Sequence, residues 1–184
     1  MKNPFLTGKN IYLSPLVRED ITDEYINWLN DPEICHGNSH ATFPNNYVKT
    51  LSYVESVQNS KTEIVLSIKN KKNDEAIGNA SLQNINWVNR SSEIALIIGN
   101  KKFWNKGIGT EVIALLIDYA FNVLNLNRIS CGTPVSNKGG LSICEKNGMK
   151  KEGQLREVMF KNGAHVDVVL YSILLSEYKR NKKK

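Results

Sequence analysis

The chain has 184 residues, 41% of them hydrophobic and 23% charged, a balance that excludes a disordered or collagen-like polymer. A chain this long can bury a core without disulfide or metal staples. The formal net charge is +6, but five of the basic residues (Lys179, Arg180, Lys182, Lys183 and Lys184) crowd the C-terminus, and the near-neutral remainder argues against a nucleic-acid groove.

Residues 9–16 alternate Ile11 and Leu13 with polar positions and predict a strand. Asp20 is the expected N-cap of the next helix, accepting from the amide of Asp23, with Ile21, Tyr25, Trp28 and Leu29 on one face. Asn30-Asp31-Pro32 ends it, because the residue before proline leaves the helical region. Residues 35–43 read as a polar loop carrying His36 and His40. A second helix is expected over 46–57, with Tyr47, Leu51 and Val54 facing inward. Residues 63–68, 76–87 and 92–98 read as strands, joined by Asn-rich turns that suit antiparallel hairpins. A helix over 109–124 presents Val112, Leu115, Leu116 and Tyr119 at helical spacing; a strand over 128–133 and a helix over 138–146 follow. The chain closes with strands 154–160 and 165–175 around Asn162-Gly163, the strongest local hairpin signal in the sequence. The predicted order is βααβββαβαββ, a mixed α/β sheet in which strands 92–98 and 128–133, linked through a helix, are parallel neighbours.

The longest apolar stretches, 112–121 and 168–175, are broken by Asp118 and Ser172 and are too short to span a bilayer. Met1-Lys2-Asn3-Pro4-Phe5 has no apolar signal core, so the expectation is a cytoplasmic protein without membrane contact. The basic C-terminus reads as a solvated end, with an arm for RNA or membrane as the less favoured alternative. Cys35, Cys131 and Cys144 form no C-x-x-C pair, which supports neither a disulfide framework nor a metal site; they are expected as reduced thiols filling small apolar space.

Between a predicted strand and a predicted helix lies Lys101-Lys102-Phe103-Trp104-Asn105-Lys106-Gly107-Ile108-Gly109-Thr110-Glu111. Two glycines one residue apart let the backbone approach a ligand, and the helix that follows offers unpaired amides to an anion. The segment lacks the G-K-[ST] of a P-loop and the third glycine of a dinucleotide fingerprint. Taken alone it reads as a phosphate cradle or as a plain glycine-containing helix start.

The wider pattern resembles the GNAT acetyltransferase superfamily, and its RimJ/RimL-type branch in particular. Trp104-x-x-Gly107-x-Gly109-Thr110-Glu111 resembles motif A. Asn137, Glu145-Lys146-Asn147-Gly148-Met149 and Glu152-Gly153-Gln154-Leu155-Arg156-Glu157 resemble the segments that follow it, and Tyr12-Leu13-Ser14-Pro15-Leu16 with Asp20 resembles the family's start. The resemblance covers residues 9–175, expected as the GNAT domain, with 176–184 as a basic tail. It implies a mixed central sheet with helices on both faces and a V-shaped splay between two parallel strands. It also implies an acetyl-CoA-dependent N-acetyltransferase that needs no metal. The amides of Asn105, Lys106, Gly107, Ile108, Gly109 and Thr110, beside Trp104, would hold the pyrophosphate of the donor. The strand end Ile97-Ile98-Gly99 and the side chain of Asn137 would hold its pantetheine arm.

Direct attack by a neutral amine needs a proton acceptor, and Glu93 is the candidate. Alternation places it with Ala95 and Ile97, where apolar neighbours are expected to raise its pKa toward the working range. The alternative is a strand-end carboxylate paired with a base such as Arg90. Cys144 stands where many relatives have Tyr, and Gly140 where the branch often has Ser, so no general acid carries over. Those departures leave open a protein that binds CoA as a sensor or interaction module. Candidate acceptor contacts are Trp28, Asp31 and His36 in the N-terminal half. The acceptor classes are an amino sugar, a protein N-terminus and a small amine, and a homodimer is the preferred assembly.

Overall fold

The structure, a computed structural model, describes residues 2–182; Met1 and the tail residues Lys183 and Lys184 lie outside it. In chain order the strands and α-helices are β1 (Leu6–Thr7), β2 (Ile11–Pro15), α1 (Asp23–Asn30), α2 (Tyr47–Gln58), β3 (Ile64–Asn70), β4 (Ala76–Asn86), β5 (Ser91–Ile98), α3 (Ile108–Asn122), β6 (Arg128–Pro134), α4 (Lys138–Lys146), β7 (Lys150–Lys161), β8 (Ala164–Leu174) and α5 (Leu175–Asn181). Among the described residues the strands form one 8-stranded sheet in the order β1-β2-β3-β4-β5-β6-β8-β7. Every neighbouring pair is antiparallel except β5 and β6.

Each face of the sheet buries its own cluster. On one side Ile11, Leu13, Ile68, Leu82 and Ile129 pack against Val112, Leu116 and Phe121 of α3. On the other, Leu16 and Ile97 pack against Tyr25, Trp28 and Leu29 of α1 and Val54 of α2. With both faces covered, β2 is buried at consecutive positions from Ile11 to Ser14, not only at alternate ones. Asn162 and Gly163 both take positive φ (50° and 82°), the backbone that a two-residue hairpin turn with matching twist requires. Among the described residues no helix is long and apolar enough to cross a membrane.

Local corrections to the sequence expectations trace to long-range partners. Helix α1 is capped by Thr22, whose hydroxyl accepts from the amide of Tyr25 at 3.2 Å, and not by Asp20. Asp20 instead closes the preceding turn through the amide of Val17 and ion-pairs with Lys69 on β3. Helix α2 buries Thr50, Val54 and Val57, while Tyr47 is exposed, so its inward face is rotated from the expected one. The loop at 35–43 is organised as two 3-10 turns, and its Cys35 is fully buried. The basic C-terminus begins inside α5, where Tyr178 packs at 5.2 Å from the ring of Phe121 and both Tyr178 and Lys182 bond to Asp118.

Two glycines allow the site end of the sheet to close. A Cβ on Gly78 would sit 2.0 Å from the carbonyl oxygen of Ile97, and one on Gly99 would sit 2.0 Å from the Trp28 ring. Gly99→Ala is therefore expected to destabilise by about 1–3 kcal/mol through overpacking. Gly153→Ala, where a Cβ meets nothing within 4 Å, is expected to change stability by less than about 0.5 kcal/mol. Urea unfolding of the two variants checks both.

The base of the β5–β6 pair is tied outward by Arg128, which holds Glu152 of β7 through two hydrogen bonds of 2.5 and 2.6 Å. Arg128 first, and then the hydroxyl of Ser172, lower the Glu152 carboxyl to about 2. Because the folded value lies below the ordinary 4.5, this contribution is complete above pH 4.5 and is lost as pH falls toward 2. Glu152→Gln is expected to flatten that part of the acid limb in denaturation measured against pH. The loss at neutral pH should be small, because the pair is partly solvated.

Candidate active site

The parallel pair is short. β5 and β6 are in register only at Ser91, Ser92 and Glu93 opposite Arg128, Ile129 and Ser130. Beyond that point β5 stays with β4 as far as Ile98, and β6 stays with β8 as far as Pro134. The two strands therefore part, and backbone groups on the facing edges are left without a strand partner. A cavity of about 760 Å³ fills the opening, walled by β5, β6, the first turn of α3, α4 and the turn Ile34–Gly37.

The open end of the V meets the glycine loop. Asn105 and Gly107 hold positive φ (57° and 78°), and Gly107 is the residue before the first turn of α3. The first helical amide bonded back is that of Glu111, to the Gly107 carbonyl at 3.0 Å. The amides of Ile108, Gly109 and Thr110 precede it, and first-turn amides lack intrahelical partners, so this end of the cavity suits an anion. The glycines have different jobs. A Cβ on Gly107 would meet nothing within 4 Å, so its role is conformational; one on Gly109 would meet Ile143 of α4 at 2.6 Å, so its role is close helix approach. Glu111, the acidic residue of the first turn, is committed elsewhere: it accepts from the backbone and side-chain amides of Asn10 at 2.8 and 2.9 Å.

Asn137 caps α4, accepting from the amide of Gly140 at 2.9 Å, and its Nδ2 lies 3.4 Å from the hydroxyl of Thr133. A Cβ on Gly140 would meet that hydroxyl at 2.6 Å and Asn137 Nδ2 at 2.8 Å. Glycine at this position is matched to its two neighbours.

Glu93 lies at the apex, at the last position where β5 pairs with β6. Its side chain is exposed into the cavity, not enclosed by apolar groups as expected. No hydrogen bond or ion pair among the described residues occupies it, and Arg90 is bonded to Asn125 instead, at 2.6 Å to both its carbonyl and its side-chain oxygen. Among the described residues lining the cavity it is the one carboxylate, and the cations are Lys138 and Lys146 of α4.

The other expected site residues divide. Ile97, Ile98, Trp104, Asn105, Gly107, Ile108, Gly109, Thr110 and Asn137 line the cavity; Gly99 and Lys106 do not. The Trp104 indole donates to the Ile98 carbonyl at 2.7 Å, which pins the loop to the strand end. His36 lines the cavity, and its Nδ1 donates to the Glu33 carbonyl at 2.7 Å, leaving Nε2 as an acceptor. Trp28 is 6% exposed and packed against Gly99, so it is core and not an acceptor platform. Asp31 is held by Lys101 at 2.8 Å, which lowers its pKa, and caps the following turn through the amides of Glu33 and Ile34.

Sequence reasoning missed the roof. Lys161, on the β7–β8 hairpin, donates to the carbonyls of Cys35 and Asn38 and so fixes the turn that carries His36 and Gly37. It also missed Gln83 of β4 and Cys131 and Thr133 of β6 on the walls. Gly37 was the available signal, since a Cβ there would lie 2.5 Å from Asn137 Nδ2.

Residues 10–150 match the family model described as an acetyltransferase (GNAT) domain. A putative ribosomal N-acetyltransferase of Bacillus subtilis (strain 168), YdaF, is 40% identical over 105 residues, 57% of each chain, so the chain spans little more than half the length of that relative. A probable N-acetyltransferase of the same organism, YjcK, is 30% identical over 176 residues, 92% of this chain and 96% of the relative. Among solved structures, spermidine N-acetyltransferase from Vibrio cholerae in complex with CoA and spermine aligns with a TM-score of 0.85 at 26% identity, covering 92% of this chain and 98% of that one.

Replacing Lys161 by Met removes the roof's charge-assisted hydrogen bonds. Amide exchange in the turn Ile34–Gly37 is expected to speed up about tenfold, with little change in the β4 and β5 amides, read by hydrogen–deuterium exchange.

Proposed function

Since the chain belongs to the GNAT acetyltransferase family, we propose that it is an acetyl-CoA-dependent N-acetyltransferase acting on a primary amine by direct attack. The observation that carries this is the three-residue β5–β6 pair, which opens a cavity with a free carboxylate at its apex and a helix N-terminus at its mouth. The donor supplies an activated acetyl thioester. This chain's residues fit it: the first-turn amides of α3 for the pyrophosphate, the unpaired edge of β5 at Ile97 and Ile98 for the amides of the pantetheine arm, and Asn137 beside the same arm. No metal-binding residue is assigned a role.

Glu93 accepts the proton that the acceptor ammonium must shed, directly or through one water. The departing thiolate, with a reference pKa of about 8.5, leaves without a dedicated acid. His36, with Nε2 as acceptor, and Gln83 line the acceptor side. Among the described residues the cavity wall carries one carboxylate, whereas a polyamine calls for several, so within the three acceptor classes, an amino sugar, a protein N-terminus and a small amine, a substrate with a single amine fits best. We place the chain in the RimJ/RimL-like branch on the motif residues around Gly107 and Gly153, with a homodimer as the working assembly and residues 9–175 as the catalytic domain.

Thiol release from acetyl-CoA is the test, against a nucleotide-linked amino sugar, spermidine, and peptides beginning with Ala or Ser. Release is expected with a mono-amine class and least with spermidine; preference for spermidine would reverse the acceptor assignment. Glu93→Gln is expected to lower kcat/KM by about 10²-fold or more with the affinity for acetyl-CoA unchanged. Tight acetyl-CoA binding without release from any amine would favour the sensor reading.

A further inference from the structure

Two of the three cysteines meet inside the cavity. Cys131 of β6 and Cys144 of α4, 13 residues apart in sequence, bring their sulfur atoms to 3.4 Å, and both line the wall. Cys35 is set apart from them: it is fully buried, and its thiol donates to the Trp28 carbonyl at 3.3 Å. We propose that Cys131 and Cys144 are a covalent modification site, a dithiol that exchanges with a low-molecular-weight disulfide and closes to an intramolecular disulfide between β6 and α4.

The geometry is close to what the bond needs. Going from 3.4 Å to a bond of about 2.05 Å takes roughly 1.4 Å of combined sulfur movement, within reach of small side-chain rotations. The thiols also feel each other. Their mutual hydrogen bond raises the pKa of Cys131, an effect that burial reinforces, and lowers that of Cys144. The charged groups around them, Glu93 facing Cys131 and Glu145 facing Cys144, both oppose thiolate formation, so the lowering at Cys144 comes from its partner thiol. Both thiols line the cavity, Cys131 the more accessible and Cys144 the more buried, so exchange can open at either sulfur and close at the other.

The steps balance. The thiolate of one cysteine attacks one sulfur of the disulfide RSSR, forming a mixed disulfide Cys–S–SR and releasing RS⁻. The other cysteine then attacks the protein sulfur of that mixed disulfide, forming the Cys131–Cys144 bond and releasing a second thiol; its proton passes to the leaving sulfur. Two protein thiols are oxidised and one disulfide is reduced to two thiols. The member of this class that the first-turn amides of α3 would retain is CoA disulfide, a clause that rests on the proposed function. A single thiol in a cavity that receives CoA would be trapped as a mixed disulfide, and the second thiol expels it.

The full chain is treated separately with CoA disulfide and glutathione disulfide, quenched in acid, alkylated, and mapped by mass spectrometry. The wild-type protein is expected to lose about 2 Da, with Cys131 joined to Cys144 and Cys35 alkylated only after unfolding. Cys131→Ser, with Cys131→Ala as a second variant against folding loss, is expected to accumulate one stable adduct on Cys144 and to lose acetyl-CoA binding in that form. Closure at least tenfold faster with CoA disulfide is expected. Equal rates with the two disulfides would keep the dithiol and overturn the nucleotide recognition. Absence of the Cys131–Cys144 bond with both reagents, in protein that retains its native circular dichroism, would overturn the proposal, and that reading needs no variant.

Discussion

The molecule depends on a parallel pairing that stops after three residues. Everything on the β2 side of β5 is an antiparallel meander, and everything on the far side of β6 is a hairpin pair. Each half satisfies its own backbone, β5 against β4 and β6 against β8, so neither strand needs the other past Glu93 and Ser130. A sheet ordinarily leaves unpaired amides and carbonyls only at its outer edges. Here a pair of such edges is made in the middle, where helices cover both faces and a long polar ligand can complete them. The helix α3 that bridges the strands begins at the same opening, which brings its first-turn amides to the strand ends without any further device.

Around that opening the supporting contacts are polar and distant in sequence. Glu111 joins the start of α3 to Asn10 just before β2, Arg128 joins the start of β6 to Glu152, and Lys161 joins the last hairpin to the turn that roofs the cavity. The apolar clusters hold the sheet, and these ties set where its site end lies. Trp28 belongs to the same scheme. Its ring rests on Gly99, so the bulkiest side chain of α1 fixes the strand end instead of meeting a ligand.

Periodicity and turn chemistry made most of the architecture legible. The Asn162-Gly163 turn, the glycine loop between strand and helix, and the parallel relation of the strands either side of α3 all stand in the structure. The turn and the loop are legible because each is decided within a dozen residues, and the parallel relation because strand, helix and strand follow one another in the sequence. What was not legible is decided by partners far along the chain. Asp20 has the chemistry of an N-cap, but Lys69 claims it and Thr22 takes the cap. Glu93 has apolar sequence neighbours, but the strands part beside it and leave it exposed. Cys131 and Cys144 match no spacing motif, because a strand and the helix after it, not a local loop, bring them together.

The long outer strand β7 shows how the same fold meets a different hazard. It is an edge, its outward side chains include Leu155, Val158 and Phe160, and an edge of that length is a template for another chain. Yet its register against β8 shifts twice, between Lys151 and Gly153 and between Leu155 and Met159, and Glu157 in the second interruption takes a positive φ of 52°. Lys150 and Lys151 stand at one end, while Lys161 at the other is turned to the carbonyls of Cys35 and Asn38. An incoming strand finds no unbroken ladder to extend and charge at one entrance, so irregularity in the hairpin works against uncontrolled sheet growth between molecules.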